Sequence, residues 1–225
     1  MSESPRETVS EAATTVFVVD DEDTVRKALA RLIRSAGMTA RTFPTAEAFL
    51  AENHSVPASC LVLDVRLPGL NGLQLQEALN RKGYPIGIIF ITGHGNVPTS
   101  VRAMKAGAVD FLQKPFAGPD LLDAIRRAVN RTRDAVAKQS ETAEIQRRYD
   151  SLTLREREVF SLVVAGLLNK QVAGELGAAE KTIKIHRGRV MAKMQAPSVA
   201  DLVRMAGLLG VPPQPSASRG APGAS

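Results

Sequence analysis

Residues 14–23 read TTVFVVDDED, a β-branched and aromatic run that stops on four consecutive acidic residues. A run this short, closed off by charge, fits a strand buried on both faces of a parallel sheet. The pattern returns downstream: TARTF (39–43), CLVLD (60–64), IGIIFIT (86–92) and AVDFL (108–112) are four further strand candidates. The segments between them carry helical periodicity, with Val25, Leu29, Leu32 and Ile33 on one face of the first. Strand and helix alternating at this spacing predict an α/β domain, a doubly wound five-stranded parallel sheet with right-handed crossovers. Ligands in such sheets sit beyond the carboxyl ends of the strands, so chemistry is sought there.

The whole chain bounds this reading. Its 225 residues exceed what one ordinary domain needs, and 44% hydrophobic with 23% charged residues excludes a wholly disordered polymer. No apolar run approaches the ~20 residues of a membrane span. The opening MSESPRETVSEAATT lacks the basic and apolar regions of a secretory signal, and the one cysteine, Cys60, has no partner for an internal disulfide. These features favour the cytoplasm and no membrane association. Residues 1–14 read as a disordered arm, and 212–225, PPQPSASRGAPGAS, as a disordered tail. Between them the pattern changes near residue 135. The sheet domain spans 15–134, a helical linker 135–150, and a small all-α domain 151–211. Thr132 and Gln139 interrupt the apolar stripe that Leu122, Ile125, Val129 and Val136 begin, so a long coiled coil is not expected.

The strand ends carry a constellation. Asp20 and Asp21 end the first strand, Asp64 the third and Thr92 the fourth, and Lys114 follows the fifth, ahead of Pro115. Each has a plain reading alone: DDED as an acidic helix start, Asp64 as a turn opener, Thr92 as a strand end, Lys114 as a solvated charge. Their joint fall at the functional end of an α/β sheet is what points to a site. Three carboxylates in one pocket repel unless a cation or proton compensates them. Carboxylate oxygens with waters and a phosphate suit Mg2+, and a lysine with a hydroxyl suits a phosphoryl group. His94 reads as a loop residue rather than a phosphoryl relay, and Cys60 as an inert core thiol.

The segment 15–134 resembles the receiver domain of two-component response regulators, a flavodoxin-like fold, through VVDDED, LVLDVRLPGLNG, FITGHGN and AVDFLQKPF. The resemblance implies that Asp64 is the phosphoacceptor, with a sensor histidine kinase as donor. It implies Mg2+ held by Asp20, Asp21, Asp64 and the main-chain carbonyl of Arg66. Thr92 and Lys114 match the residues that bind the phosphoryl oxygens, and Phe111 the switch aromatic.

Charge is informative once it is located. The formal excess is +6 overall, +3 over 15–134 but +4 over the much shorter 151–211. Lys181, Lys184, Arg187, Arg189 and Lys193 fall on one predicted helix. SLTLREREVFSLVVAGL, NKQVAGEL, AEKTIKIHRGRVMAKM and SVADLVRMAGLL read as four helices. NKQVAGEL, then Gly177 and two alanines, then a basic helix with Ile183, Val190 and Met194 inward describe a helix-turn-helix. Its second helix is expected in the major groove of double-stranded DNA. The segment resembles the LuxR-type, or NarL/FixJ-type, DNA-binding domain through LTLREREV, NKQVAGELG and KTIKIHRGRVMAKM, and the HRGRVMAKM wording is FixJ-like. Matching positions imply that Lys184, Ile185 and Gly188 face bases, with Asn169, Lys181, Thr182 and Arg187 nearer the phosphates. Gly188 offers no side chain where some members carry a long one. Glu156 and Glu158 are expected in structural pairs.

The sequence therefore reads as a phosphorylation-activated, DNA-binding transcriptional regulator, not an enzyme, which forms a homodimer when phosphorylated. RNA polymerase is a further candidate partner. Two alternatives compete with this reading. A Mg2+-dependent aspartate-based phosphohydrolase commonly has a second aspartate two residues past the nucleophile, where this chain has Arg66. A flavin binder would set an acidic pocket against the cofactor's phosphate.

Overall fold

The computed structural model describes residues 14–52, 59–93 and 97–212. The chain divides into two compact units, Met1–Ala137 and Lys138–Ser225. Apart from Thr14 and Pro212, the expected arm and tail lie outside the described residues, as does His94.

The first unit alternates strand and helix: β1 (Thr15–Val19), α1 (Asp23–Ser35), β2 (Thr39–Phe43), α2 (Ala46–Leu50), β3 (Ser59–Asp64), α3 (Gly72–Arg81), β4 (Gly87–Thr92), α4 (Val97–Lys105), β5 (Asp110–Gln113) and the start of α5 (Gly118–Asp150). The strands form one sheet in the order β2-β1-β3-β4-β5, every neighbouring pair parallel. After β1 the chain winds one way to β2 and then returns to the other side of β1 with β3. That reversal opens a crevice at the carboxyl ends of β1 and β3.

The period of two along each strand explains why β1, β3 and β4 are apolar throughout. Val16, Val18, Cys60, Val62, Ile89 and Ile91 meet Leu29 and Ile33 of α1 and Leu121, Ile125 and Val129 of α5. Phe17, Val19, Leu61, Leu63, Ile88 and Phe90 turn to the opposite face, against Phe49, Leu75, Leu79 and Ala103 of α2, α3 and α4. Helices cover both faces of these central strands and remove their side chains from water, worth roughly 1.5–3 kcal/mol for a large side chain. Phe17, Phe43 and Phe49 interlock, with Phe43 and Phe49 edge to face at 5.4 Å between centroids.

One strand boundary differs from the sequence expectation. AVDFL predicts a strand over 108–112, whereas β5 is Asp110–Gln113. The Ala108 N–H is taken by the Ala103 carbonyl in closing α4, and that of Val109 bonds Ile88 at 2.7 Å as a lead-in. Thr132 is the informative exception on α5. It occupies an apolar-stripe position yet is buried, because its hydroxyl donates to the Ala128 carbonyl at 3.0 Å and accepts from Gly87 N–H at 2.8 Å. A satisfied hydroxyl is tolerated where an unpaired one would be costly.

The second unit is helical. The end of α5 joins α6 (Leu154–Val164), α7 (Asn169–Leu176), α8 (Glu180–Met194) and α9 (Val199–Leu209). Ile145 of α5 is buried in its core with Val159, Phe160, Val172, Ile183, Val190, Met194 and Leu202. Tyr149 packs edge-on against Phe160 at 5.2 Å. Residues 138–150, expected as linker, thus contribute core side chains here. Thr153 starts α6 through a capping box with Glu156, a T-x-x-E signal legible in TLRE. Glu156 is 3% exposed and also accepts from Lys193 Nζ at 2.6 Å, which holds its carboxyl well below the usual range, at about 2. Lys193 is therefore directed to Glu156 and the Ser151 carbonyl rather than standing with the other basic groups of α8. Glu158 pairs with Arg155 at 2.8 Å. No helix among the described residues is long and apolar enough to cross a membrane.

Candidate functional site

The register of the sheet builds the first site. β1 and β3 run in step, Val19 beside Leu63, so Asp20 and Asp64 emerge together at their carboxyl ends. Asp20, Asp21 and Asp64 each offer an oxygen, and these oxygens lie within 4.8 Å of one another. Lys114 follows β5 and reaches across the crevice, its Nζ donating at 2.7 Å both to Asp20 Oδ2 and to Asp64 Oδ2. Its own N–H bonds the Thr92 carbonyl at 2.8 Å, anchoring the segment to the end of β4, and the Lys114–Pro115 bond is cis.

The electrostatics follow from burial. Asp20 is fully buried, and desolvation raises its carboxyl above the ordinary value against the opposing pull of Lys114. For Lys114, burial works to lower the ammonium, but the hydrogen bonds to Asp20 and Asp64 carry it above its usual value. The lysine thus stays charged and bridges two carboxylates that would otherwise repel. Burial also pushes the Cys60 thiol up, so it is inert to thiolate chemistry.

The loop after β3 is shaped around Asp64. The Arg66 N–H donates to Asp64 Oδ1 at 2.9 Å, and Gly72 N–H to the Val65 carbonyl at 3.1 Å. A Cβ on Gly72 would lie 2.3 Å from the Asp64 carbonyl, so only glycine lets α3 start this close to the acidic residue. Thr92 is buried at the end of β4. Phe111 lies beside Phe90 across the β4–β5 ladder, ring centroids 6.2 Å apart, and is half-buried. Sequence reasoning missed Arg26: its guanidinium grips the main-chain oxygens of Asp20 and Asp21 at 2.7 and 2.8 Å. Its i, i+3 spacing from Asp23 signals only a helix-surface ion pair, not the reach back to the loop.

The second site lies on α7 and α8. Gly177 closes α7 in the left-handed region at φ 58°, and Ala178 N–H returns to the Ala173 carbonyl at 3.0 Å. This is the tight turn a helix-turn-helix requires. Ile183, Val190 and Met194 bury the inner face of α8, which leaves Lys181, Thr182, Lys184, Ile185 and Gly188 exposed. Ile185 is 50% exposed, unusual for a branched apolar side chain. Arg187 is half-buried, and its Nη1 donates to Asn169 Oδ1 at 3.0 Å, joining the two helices.

Comparison with known proteins matches each unit to a domain family. The family model described as the response regulator receiver domain matches residues 16–126, and that of bacterial regulatory proteins, luxR family, matches 150–206. Nodulation protein W of Bradyrhizobium diazoefficiens is 51% identical over 196 residues, covering 87% of this chain and 86% of that protein. Transcriptional regulatory protein FixJ of Rhizobium meliloti is 45% identical, covering 85% and 94%. The solved structure of response regulator StyR is 45% identical, with a TM-score of 0.75, covering 86% of this chain and 98% of its own. The chain belongs to the NarL/FixJ family of response regulators, with a receiver domain and a LuxR-type DNA-binding domain, and its relatives are of FixJ type.

Proposed function

We propose that Asp64 accepts a phosphoryl group from a phosphohistidine of a sensor histidine kinase, and that this switches binding to double-stranded DNA. The observation that carries the reading is the convergence of Asp20, Asp21 and Asp64 with Lys114 bridging two of them. A carboxylate oxygen of Asp64 forms the new P–O bond, and the P–N bond breaks with its electron pair returning to the imidazole. The donor set is three hard carboxylate oxygens, which fits Mg2+. Asp20, Asp21, Asp64 and the Arg66 carbonyl are the residues assigned to hold it. When bound, Mg2+ neutralises charge on the transferring group.

Lys114 is already poised at Asp64 Oδ2 and turns to the phosphoryl oxygens, while the Thr92 hydroxyl takes another. Withdrawal of Thr92 toward the phosphoryl group gives Phe111 room to move inward beside Phe90, a local charge biasing a two-state packing element. On α4, Val97 is 75% exposed, and Val101 and Met104 follow on the same face, each 44% exposed. An exposed apolar stripe of this kind supports homodimerisation through α4. Pairing matters because one helix-turn-helix supplies little affinity and two half-sites raise it.

On α8, Lys184, Ile185 and Gly188 are assigned to base edges, and Lys181, Thr182, Asn169 and Arg187 to the phosphate side. The role is that of a regulator rather than an enzyme, placed in the cytoplasm beside the DNA, with RNA polymerase as a further partner. The test is labelling of wild type and Asp64→Asn with acetyl phosphate, followed by light scattering. The reading expects acid-labile phosphate and a dimer from wild type only. A labelled variant, or monomer under all conditions, would count against it.

A further inference from the structure

Arg26 stands in the first turns of α1 with its side chain 14% exposed. Its Nη1 donates to the main-chain oxygen of Asp20 at 2.7 Å and to that of Asp21 at 2.8 Å, and its Nη2 reaches Asp23 Oδ1 at 3.1 Å. Asp23 is itself fixed on the same turn by Lys27 at 2.7 Å. One guanidinium, oriented by a carboxylate behind it, therefore grips both carbonyls of the acidic pair.

We propose that Arg26 is a positioning residue for divalent-cation binding, setting the loop between β1 and α1 in the shape that aims Asp20 and Asp21 at the ion. This inference rests on the reading of the carboxylate cluster as a Mg2+ site. The Asp20 carbonyl belongs to the planar peptide unit before the Asp21 Cα and the Asp21 carbonyl to the unit after it, so gripping both orients the two planes that flank this Cα and sets the direction of the Asp21 Cα–Cβ bond. Without that grip, three carboxylate oxygens within 4.8 Å of one another favour a loop that spreads them. Lys114 opposes the spreading for Asp20 and Asp64, whose carboxylates it bridges. Asp21 is exposed, and Arg26 holds it through the backbone. A planar guanidinium with several fixed donors can take two carbonyls and a carboxylate together.

The test is calorimetric titration of Mg2+ alone into the full chain, for wild type, Asp20→Asn, Arg26→Met and Arg26→Lys. Arg26→Met keeps the aliphatic stem and removes the donors. Partners of metal ligands typically contribute 10–100-fold in affinity, so Arg26→Met is expected to bind about tenfold more weakly or worse, with Arg26→Lys in between. Phosphate uptake from acetyl phosphate should then need more Mg2+ but reach the wild-type level at saturation, a split that general loosening of the fold would not produce. Arg26→Met binding within about twofold of wild type, while folded by circular dichroism, overturns the proposal. If Arg26→Met does not fold, Arg26→Lys decides: about threefold weakening supports the tether, and equality with wild type overturns it. Failure of the underlying reading looks different: wild type takes no Mg2+, or Asp20→Asn binds as tightly as wild type, and either result overturns both.

Discussion

The acidic crevice and the basic helix are charged sites built by opposite means. Asp20 and Lys114 are 94 positions apart in sequence and meet at 2.7 Å, because a parallel sheet delivers the ends of four strands to one edge. Lys181, Lys184 and Arg187 are neighbours on α8 and need only helical periodicity and one tight turn. Asp20 and Asp64 are buried in the crevice: desolvation raises the Asp20 carboxyl, and hydrogen bonds to both aspartates raise the Lys114 ammonium against its own burial. Lys181 and Lys184 are exposed, so they are solvated until they meet DNA. A site made by long-range assembly should fail with its scaffold, and a site made locally should fail one contact at a time.

The largest expected effect tests the scaffold. Phe90 is fully buried between α3 and β5, and Phe90→Ala should cost about 3–5 kcal/mol in denaturant unfolding of the receiver unit. A loss under ~1 kcal/mol would break the contrast, because the crevice would then not depend on sheet packing. Next comes Lys184→Ala, which should weaken binding to the preferred DNA sequence by about 1–3 kcal/mol with little change in thermal stability. Competition with random DNA checks it: an equal loss on all sequences would make Lys184 a phosphate contact.

Glu156 sharpens the comparison from the structural side. Its folded carboxyl sits near 2, held by Lys193 and the Thr153 cap, below the ordinary unfolded value. The stabilisation is therefore complete above the unfolded pKa and is lost as pH falls through it toward 2. Lys193 is 37% exposed, so the pair is worth about 1–2 kcal/mol after solvent screening. Thermal melts of Glu156→Gln should lie below wild type at neutral pH and converge with it under acid. The smallest effect is expected at the turn: Gly177→Ala forces a Cβ into the left-handed region and should cost ~1 kcal/mol.

The same contrast explains what could be read in the sequence. β1, β3 and β4 announce themselves because strands buried on both faces are continuously apolar, and the acids at the ends of β1 and β3 mark the carboxyl edge of the sheet. β5 was displaced by two residues at its start because an edge strand is half-buried and its pattern merges with the end of α4. The inner and outer faces of α8 followed from period 3.6 alone. Long flexible side chains were less legible. Lys193 reads as one more cation of a basic helix, yet a buried carboxylate on α6 captures it. Arg26 reads as a surface arginine, yet it turns back onto the loop that carries the acidic pair. Thr132 looks like the end of the apolar stripe until its two hydrogen bonds are seen. Each is a tertiary decision about where a polar group finds its partner, which local pattern does not encode.

The central claim is that the assembled crevice is a phosphoryl-accepting switch for the basic helix. The most direct test is phosphate incorporation from acetyl phosphate with Mg2+ into the full chain, wild type against Asp64→Asn, with DNA binding by the same samples measured alongside. The account predicts acid-labile phosphate and tightened DNA binding in wild type, and neither in the variant. Equal labelling of Asp64→Asn, or wild-type DNA binding indifferent to phosphorylation, would contradict it.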